Sequence, residues 1–244
     1  MRRAYAVSHG DVERAVAVCI GIVRSDINKS KATHVAFVLD SKGKNFRHKL
    51  YEDYKNRERD PVITKAMIVM TKKVVAKLEE MNIKTVVIKG YEADDIIGAL
   101  TKTAELHMPV RIVSNDKDMT QLIRKNVEVQ RNKEIITRKN CESIMGAKPK
   151  RVVCMLMVLG DAIDNVPGIA GIGPVAAAKL IATSKRIETA DTSVLNKAQR
   201  QAFESHRPVF KLSRKLITLA SDCMEVELSE YAYKRAKPTG FGKL

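Results

Sequence analysis

No window of this 244-residue chain approaches the run of about eighteen apolar residues that a membrane-spanning helix needs, so none is expected. The opening stretch MRRAYAVSHGDVERAV also lacks the apolar centre of a secretory signal. Cysteine is scarce. Cys19, Cys141, Cys154 and Cys223 stand apart without CxxC spacing, which argues against zinc and fits a reducing cytoplasm. They are expected to be core thiols. Internal repeats and low-complexity tracts are absent. Negative charge is the minority, with 28 Asp and Glu against 44 Lys and Arg, for a formal net charge of +16. That balance favours a polyanionic partner, nucleic acid or an acidic surface.

What is present describes a globular chain long enough for one large domain or two smaller ones, with 45% hydrophobic and 30% charged residues. Basic residues crowd between 41 and 73 and again between 205 and 244, while the short acidic clusters lie elsewhere. Such segregation suits a phosphate-binding surface around a local negative site. From Asp11 to Ile27 apolar residues recur at helical spacing (Val12, Val16, Cys19, Ile20, Val23), which predicts a helix. HVAFVLD (34–40), TVVIKG (85–90) and VRIVSND (110–116) read as short buried strands with helical stretches between them. The alternation predicts an α/β fold with a parallel sheet, whose ligands sit beyond the strands' carboxyl ends. Asp40, the cluster Glu92, Asp94 and Asp95, and the pair Asp116 and Asp118 all fall at or just after strand ends. They are expected to converge on one edge of one sheet. Beyond about residue 140 the pattern is helical, with Met155 and Met157 expected in a core. The Gly/Pro-containing basic end SEYAYKRAKPTGFGKL reads as a disordered end in preference to an arm trailing along nucleic acid.

If Asp40, Glu92, Asp94, Asp95, Asp116, Asp118, Asp161 and Asp164 do converge, they cannot all stay ionised without counter-charge. Hard divalent cations answer that problem, and all-oxygen ligation selects magnesium or manganese over zinc. Two such ions ~3.5–4 Å apart serve in-line attack of water on a phosphodiester. Taken singly, EADD is better read as a helix cap, SNDKD as a turn and GDAIDN as a loop. Taken jointly in a basic chain, metal binding is the better reading. PGIAGIGP (167–174), followed by a small-residue helix carrying Lys179, resembles a helix–hairpin–helix element. Its glycines (Gly168, Gly171, Gly173) let backbone amides approach phosphates without reading sequence. The alternative is an ordinary glycine-rich turn.

The stretches VAFVLDSKGKNFRHKLYEDYK, GYEADDIIGAL, VRIVSNDKDMTQLI and LGDAIDNVPGIAGIGPVAAAKLI occur in this order over roughly residues 34–182. Together they resemble the 5′-nuclease (flap endonuclease) family, similar to the 5′-nuclease domain of bacterial family A DNA polymerases and to phage 5′-exonucleases. The resemblance implies a parallel-sheet nuclease core over 1–140 with a helical arch around 41–75. It also implies a helical helix–three-turn–helix DNA-binding subdomain over 141–225, with 226–244 left as the basic tail. It implies a metal-dependent hydrolase acting in replication or repair on DNA with a 5′ flap, or a 5′ end at a duplex junction, in the cytoplasm of a bacterium or a phage's host. Carried over position by position, Asp40, Glu92, Asp94, Asp95, Asp116 and Asp118 look like metal ligands. Asp161 and Asp164 look like ligands of a second ion, with potassium at the glycine hairpin. Arg47 and Lys55 match basic arch residues, and Lys55 is placed to stabilise charge on the scissile phosphate.

Two features depart from the family pattern. YKNRER sets Arg57 one position early and Arg59 one late, so the partner arginine of Lys55 stays unassigned. Family members also open with an apolar strand ending in Asp-Gly ahead of an Arg-Ala-Tyr-like stretch, whereas this sequence begins at MRRAYA. The expectation is a start at an internal methionine of a longer protein, and a weaker first metal site where that strand is truly lacking. Two other readings stand beside the nuclease: a non-catalytic DNA-junction binder, disfavoured by eight retained acids, and an RNA-directed nuclease that removes primers.

Overall fold

The computed structural model describes residues 1–56, 58 and 60–234. The chain gathers into two compact units, one drawn from Met1–Leu39, Arg57–Val87 and Glu227–Leu244, the other from Asp40–Asn56 and Ile88–Val226. In chain order the elements begin with α1 (Arg2–Val7), α2 (Val12–Ser30), β1 (Ala36–Val38), α3 (Phe46–Leu50) and α4 (Pro61–Glu80). Next come β2 (Lys84–Val86), α5 (Ala93–Ala104), β3 (Val110–Val113), the 3₁₀ helix Lys117–Leu122, β4 (Val127–Arg131) and β5 (Glu134–Ile136). Then follow α6 (Cys141–Met145), α7 (Val152–Leu159), α8 (Pro174–Ala182), α9 (Lys197–His206) and α10 (Phe210–Ile217).

In the first unit the predicted helix over 11–27 is α2. Its N-terminus is set by Asp11, whose carboxylate accepts the Arg14 amide at 3.1 Å, and it ends where Lys31 turns to φ 52°. Helix α4 starts at Pro61 behind Asp60, which accepts the amides of Val62 and Ile63. Val16, Cys19, Ile20 and Ile27 of α2 pack with Met70, Val74 and Leu78 of α4 in one buried cluster. Strands β1 and β2 pair in parallel, Val38 opposite Val86. The basic end does not behave as one disordered tail. Val35 N donates to Tyr231 O at 2.9 Å, Tyr233 N donates to Thr33 O at 2.8 Å, and Tyr231 is buried. Residues 235–244 lie outside the described residues.

The second unit contains β3 parallel to β4, with Ile112 opposite Val129, and β5 antiparallel to β4. The β4–β5 turn runs through Asn132 and Lys133, at φ 49° and 73°. The strands therefore form two sheets, β1–β2 and β3–β4–β5, and not the single parallel sheet expected. The sequence reading passed over VEVQRNKEII, although Val127 and Val129 alternate with polar residues before a turn, which is a hairpin signal. Ile112, Val129 and Ile136 share one core with Met155, Met157, Leu180, Phe203 and Phe210, so α6–α10 build directly on this sheet. Both methionines are core residues, as expected. Cys19, Cys141 and Cys154 are buried, and Cys223 is half-buried.

One close approach fixes the second unit. A Cβ on Gly160, whose φ is +72°, would lie 2.4 Å from Gly168 N, and one on Gly168 would lie 2.3 Å from Leu159 O. The two glycines let the segments before and after the loop 161–166 touch backbone to backbone, and Ile169 N donates to Val158 O at 2.8 Å beside them. Gly168 is thus required as glycine by the packing. Gly160→Ala is expected to cost about 3 kcal/mol, the upper end of ordinary single-site losses, and to lower the thermal midpoint by roughly 6–12 °C. An unchanged midpoint by circular dichroism would refute the close packing.

Candidate active site

Helix α5 opens on Glu92, which is extended at φ −88° and whose amide donates to Asp95 Oδ2 at 3.2 Å. Negative side chains in a first turn are favoured by the free amides there, which partly offsets the repulsion among Glu92, Asp94 and Asp95. Ile96 and Ala99 are buried and hold the helix in place. Asp40, at the end of the segment leaving β1, accepts the Ala93 amide at 2.9 Å and so stands at the same helix start.

Asp95 itself is fully buried. Its Oδ1 and Oδ2 accept from Arg47 Nη2 and Nη1, both at 2.7 Å, and they also accept the amides of Ala220 at 2.9 Å and Glu92 at 3.2 Å. With four donors on two oxygens, nothing is left for a cation. The structure thus removes Asp95 from the expected metal ligands. It likewise removes Arg47 from the groups that face a substrate. Arg47 is 1% exposed, and its Nε donates to Leu216 O at 2.7 Å. Burial works against its charge, but Asp95 more than offsets that and holds the guanidinium protonated. Arg47 Nη1 also lies 3.5 Å from Glu92 Oε2, so the buried pair steers an acid that is not itself buried.

Lys55, matched from sequence to a basic arch residue, sits among the acids. Its Nζ lies 2.7 Å from Glu92 Oε1 and 3.4 Å from Asp164 Oδ2. Its own backbone is left-handed at φ 52°, and its amide donates to Asp164 O at 3.1 Å. A non-glycine residue in that region is uncommon and is held by its surroundings. Here the hold is mutual, because Asn165 Nδ2 donates to Asp53 O at 2.9 Å. Burial opposes the Lys55 charge, while Glu92 and Asp164 raise its pKa and keep it an ammonium. Tyr54, 2% exposed, sets its hydroxyl 2.9 Å from Glu92 Oε2 and 3.1 Å from Asp164 Oδ2. Burial, then these two carboxylates, push the phenol far up, so it remains a donor. The positions of Arg57 and Arg59 lie outside the described residues.

The DKD stretch forms the start of the 3₁₀ helix, with Asp116 Oδ1 accepting the Asp118 amide at 2.9 Å. Lys117 reaches the other acidic loop and pairs with Asp161 at 3.0 Å. Burial would raise the Asp161 pKa, but Lys117 and the amides of Ile163 and Asp164 bring it below the usual range. Asp164 is raised, by burial first, against the pull of Lys55. Among the described residues, two acids have no cation that suffices. Burial, then Asp116, with Asp40 and Glu92 beyond, raise Asp94 to about 8. Burial, then Asp116, with Asp161 and Asp164 beyond, raise Asp118 to about 7. One oxygen of Asp118 is buried without a hydrogen-bond partner among the described residues.

The structure thus places Asp40, Glu92, Asp94 and Asp116 in one electrostatic neighbourhood and Asp118, Asp161 and Asp164 in another, with Asp116 acting on both. Among the described residues, no three acidic, histidine or cysteine side chains are drawn in tightly enough to grip an ion as they stand. At the glycine turn, Gly171 has φ +74°, a Cβ there would meet nothing within 4 Å, and its carbonyl accepts Gln199 Nε2 at 3.0 Å. Gly173 caps α8, and Lys179 is exposed near that helix's end. Sequence reasoning missed Tyr54, Lys117 and Gly160. Tyr54 and Lys117 each adjoin a residue it singled out, and Gly160 immediately precedes Asp161.

Carboxylates gathered from strand ends and neighbouring loops, beside a helical unit with an exposed glycine turn, define a nuclease that works on phosphodiesters. The chain belongs to the 5′-3′ exonuclease family: the model for its N-terminal resolvase-like domain matches residues 1–146, and that for its C-terminal SAM fold matches residues 147–239. A 5′-3′ exonuclease of Aquifex aeolicus is 32% identical over 239 residues, covering 96% of this chain and 80% of that one. DNA polymerase I of Thermus filiformis is 32% identical over 231 residues, which span 91% of this chain and 27% of the polymerase. A solved structure of T5 5′-exonuclease with bound divalent zinc ions has the same fold, with a TM-score of 0.76 at 17% identity over 90% of this chain and 87% of that one. A T5 flap endonuclease complex with DNA and metal ions has a TM-score of 0.72 at 18% identity, over 87% of this chain and 82% of that one.

Removing one partner of a buried ion pair strands the other, at a cost of about 3–5 kcal/mol. Asp95→Ala is therefore expected to lower the thermal midpoint steeply, whereas Arg47→Met with Asp95→Leu recovers most of that loss. A single variant as stable as the parent would show that Asp95 is free of Arg47 in solution.

Proposed function

We propose that this chain hydrolyses DNA phosphodiesters at 5′ ends and 5′ flaps next to duplex, using two divalent ions, magnesium or manganese. The observation that carries the reading is the pair of acids that nothing among the described residues suffices to balance. Asp94 and Asp118 are forced toward neutrality by burial and by their acidic neighbours, and one Asp118 oxygen has no partner among the described residues. An all-oxygen donor set suits hard divalent cations. Asp40, Glu92, Asp94 and Asp116 would hold one ion, and Asp118, Asp161 and Asp164 the other. The sevenfold acid set, with Asp95 withdrawn, is more negative charge than a pure DNA binder has use for. When bound, such ions supply a nucleophilic water and neutralise charge on the phosphate oxygens.

The chain's own groups do the rest. Lys55 offers an ammonium beside Glu92 and Asp164, placed to oppose negative charge developing on a phosphate. Tyr54 orients the same two carboxylates from beneath. The exposed amides around Gly171 and Gly173, with Lys179, would bind the duplex backbone without reading its sequence. A potassium ion with backbone carbonyl donors belongs to the same proposal. No helix among the described residues is long and apolar enough to cross a membrane. The bacterial relatives support a place in a bacterial cytoplasm.

A 5′-labelled flap substrate with magnesium tests the reading. The parent chain is expected to cut near the junction and Asp116→Ala to fall to background, while Lys55→Ala loses ~10²–10³-fold in rate and keeps its affinity for duplex. Parent-like cutting by Asp116→Ala would end the metal proposal. A second test uses pH. In the folded, metal-free chain Asp94 and Asp118 hold protons up to about 8 and about 7, whereas unfolded aspartates release theirs near 4. Folding therefore takes up protons, and stability declines as pH rises from 6 to 8. A bound cation displaces those protons, so magnesium should raise the thermal midpoint more at pH 8 than at pH 6. Equal shifts at the two pH values would contradict it.

A further inference from the structure

Gln121 belongs to neither the acid set nor any surface, yet it is 8% exposed with both ends of its amide in use. Its Nε2 donates to Ile217 O at 3.1 Å, and its Oε1 accepts the Leu219 amide at 3.2 Å. That backbone is the C-terminal end of α10, where helical carbonyls have run out of helical partners. Arg47 takes the alternate carbonyls of the same five residues, Leu216 O at 2.7 Å and Thr218 O at 3.2 Å, and Asp95 accepts the Ala220 amide at 2.9 Å. Five consecutive residues, 216–220, are thus each held by a side chain from α3, α5 or the 3₁₀ helix.

The spacing on the holding side is regular. Asp95 follows Glu92 by three residues and is bonded to its amide; Gln121 follows Asp118 by three. In a 3₁₀ helix residues three apart lie on one face, so Asp118 and Gln121 share theirs. The segment between them is stiffened by Thr120 Oγ1, which donates to Lys117 O at 2.6 Å. Each of the two acidic groups is therefore pinned, one helical step beyond its acid, to the same strip of backbone. That strip continues α10, whose Phe210 packs on Phe203 of α9 and whose Arg214 pairs with Glu188 at 2.8 Å.

We propose that Gln121 is a positioning residue: by gripping Ile217 and Leu219 it fixes Asp116 and Asp118 relative to the acids of α5, with the end of α10 as their common reference. This rests on the reading of Asp116 and Asp118 as metal-holding acids. Gln121 touches no reacting atom. Its effect is on how far apart the two acidic groups stand, and misplacements on the order of 1 Å can cost ~10²-fold in rate.

Gln121→Met keeps the length and loses both hydrogen bonds. It is compared with an Ile136 variant (to Val or Ala) that lowers the thermal midpoint equally in the same core. Manganese affinity is measured by calorimetry without DNA, single-turnover flap cleavage at saturating magnesium, and duplex affinity without metal. Gln121→Met is expected to bind manganese about 10-fold more weakly, on the scale of losses from outer-shell partners, and to cleave ~10–100-fold more slowly, with duplex affinity within about twofold. The Ile136 control should match the parent in manganese affinity and cleavage. Gln121→Glu, which keeps the acceptor for Leu219 and loses the donor to Ile217, should fall between, and it serves where the methionine variant does not fold. Parent-like manganese affinity and cleavage in either Gln121 variant would overturn the proposal. Asp116→Ala run alongside separates the two failures. If it too binds manganese normally, the site reading is wrong; if it alone loses manganese, only the role of Gln121 is wrong.

Discussion

Like-charge repulsion among carboxylates is the constraint to which the second unit is built. Seven acids from four stretches of chain share a neighbourhood, with an eighth, Asp95, beneath them, and the fold answers them in graded ways. Asp95 receives a full guanidinium in a buried fork. Glu92 and Asp164 share one ammonium and one phenol, and Asp161 has Lys117 and two backbone amides. Asp94 and Asp118 retain protons instead. That order reads as a measure of function. The acid with the strongest partner has become scaffold, and the acids with the weakest are those to which the proposed function gives a cation.

Cations this close to a set of carboxylates have a cost and a use. Lys55 and Lys117 keep the unliganded cluster from pushing itself apart, and each is only partly buried, so water can take over when it moves. Arg47 differs. A planar fork that is always charged and matched to one carboxylate is suited to permanence, whereas a flexible ammonium is suited to exchange. The same chemistry thus separates a lysine free to exchange partners from an arginine that is not.

Apolar packing decides where these charges stand. Ile96 and Ala99 fix α5, Met119 and Leu122 fix the 3₁₀ helix, and Met155, Met157 and Phe210 belong to the core that holds α7 and α10. Gly160 and Gly168 bring the loop of Asp161 and Asp164 close by letting backbones touch. Asp40 and Asp116 are exposed and the other five acids are partly buried, while Asp95 is buried outright.

The local order of this protein was legible in its sequence. Helix α2, the strand ends that carry acids, the cap at Glu92 and the family motifs all follow from spacing and residue type, because each is decided within a few residues. The β4–β5 hairpin was legible too and went unread. What no spacing could reveal was the assignment of roles among similar side chains. EADD does not say which aspartate faces inward; that was settled by Arg47, 48 positions away, and by Ala220, 125 positions away. GIAGIG does not say that its first glycine is spent on Gly160 while the second stays open. DKDMTQL does not say that its glutamine grips the end of a helix 96 residues on. The sequence by itself determined which chemistry was available and on which elements it lies. Only the tertiary structure decided which charges pair, since pairing depends on distance and burial, and both are set by packing between segments far apart in the chain.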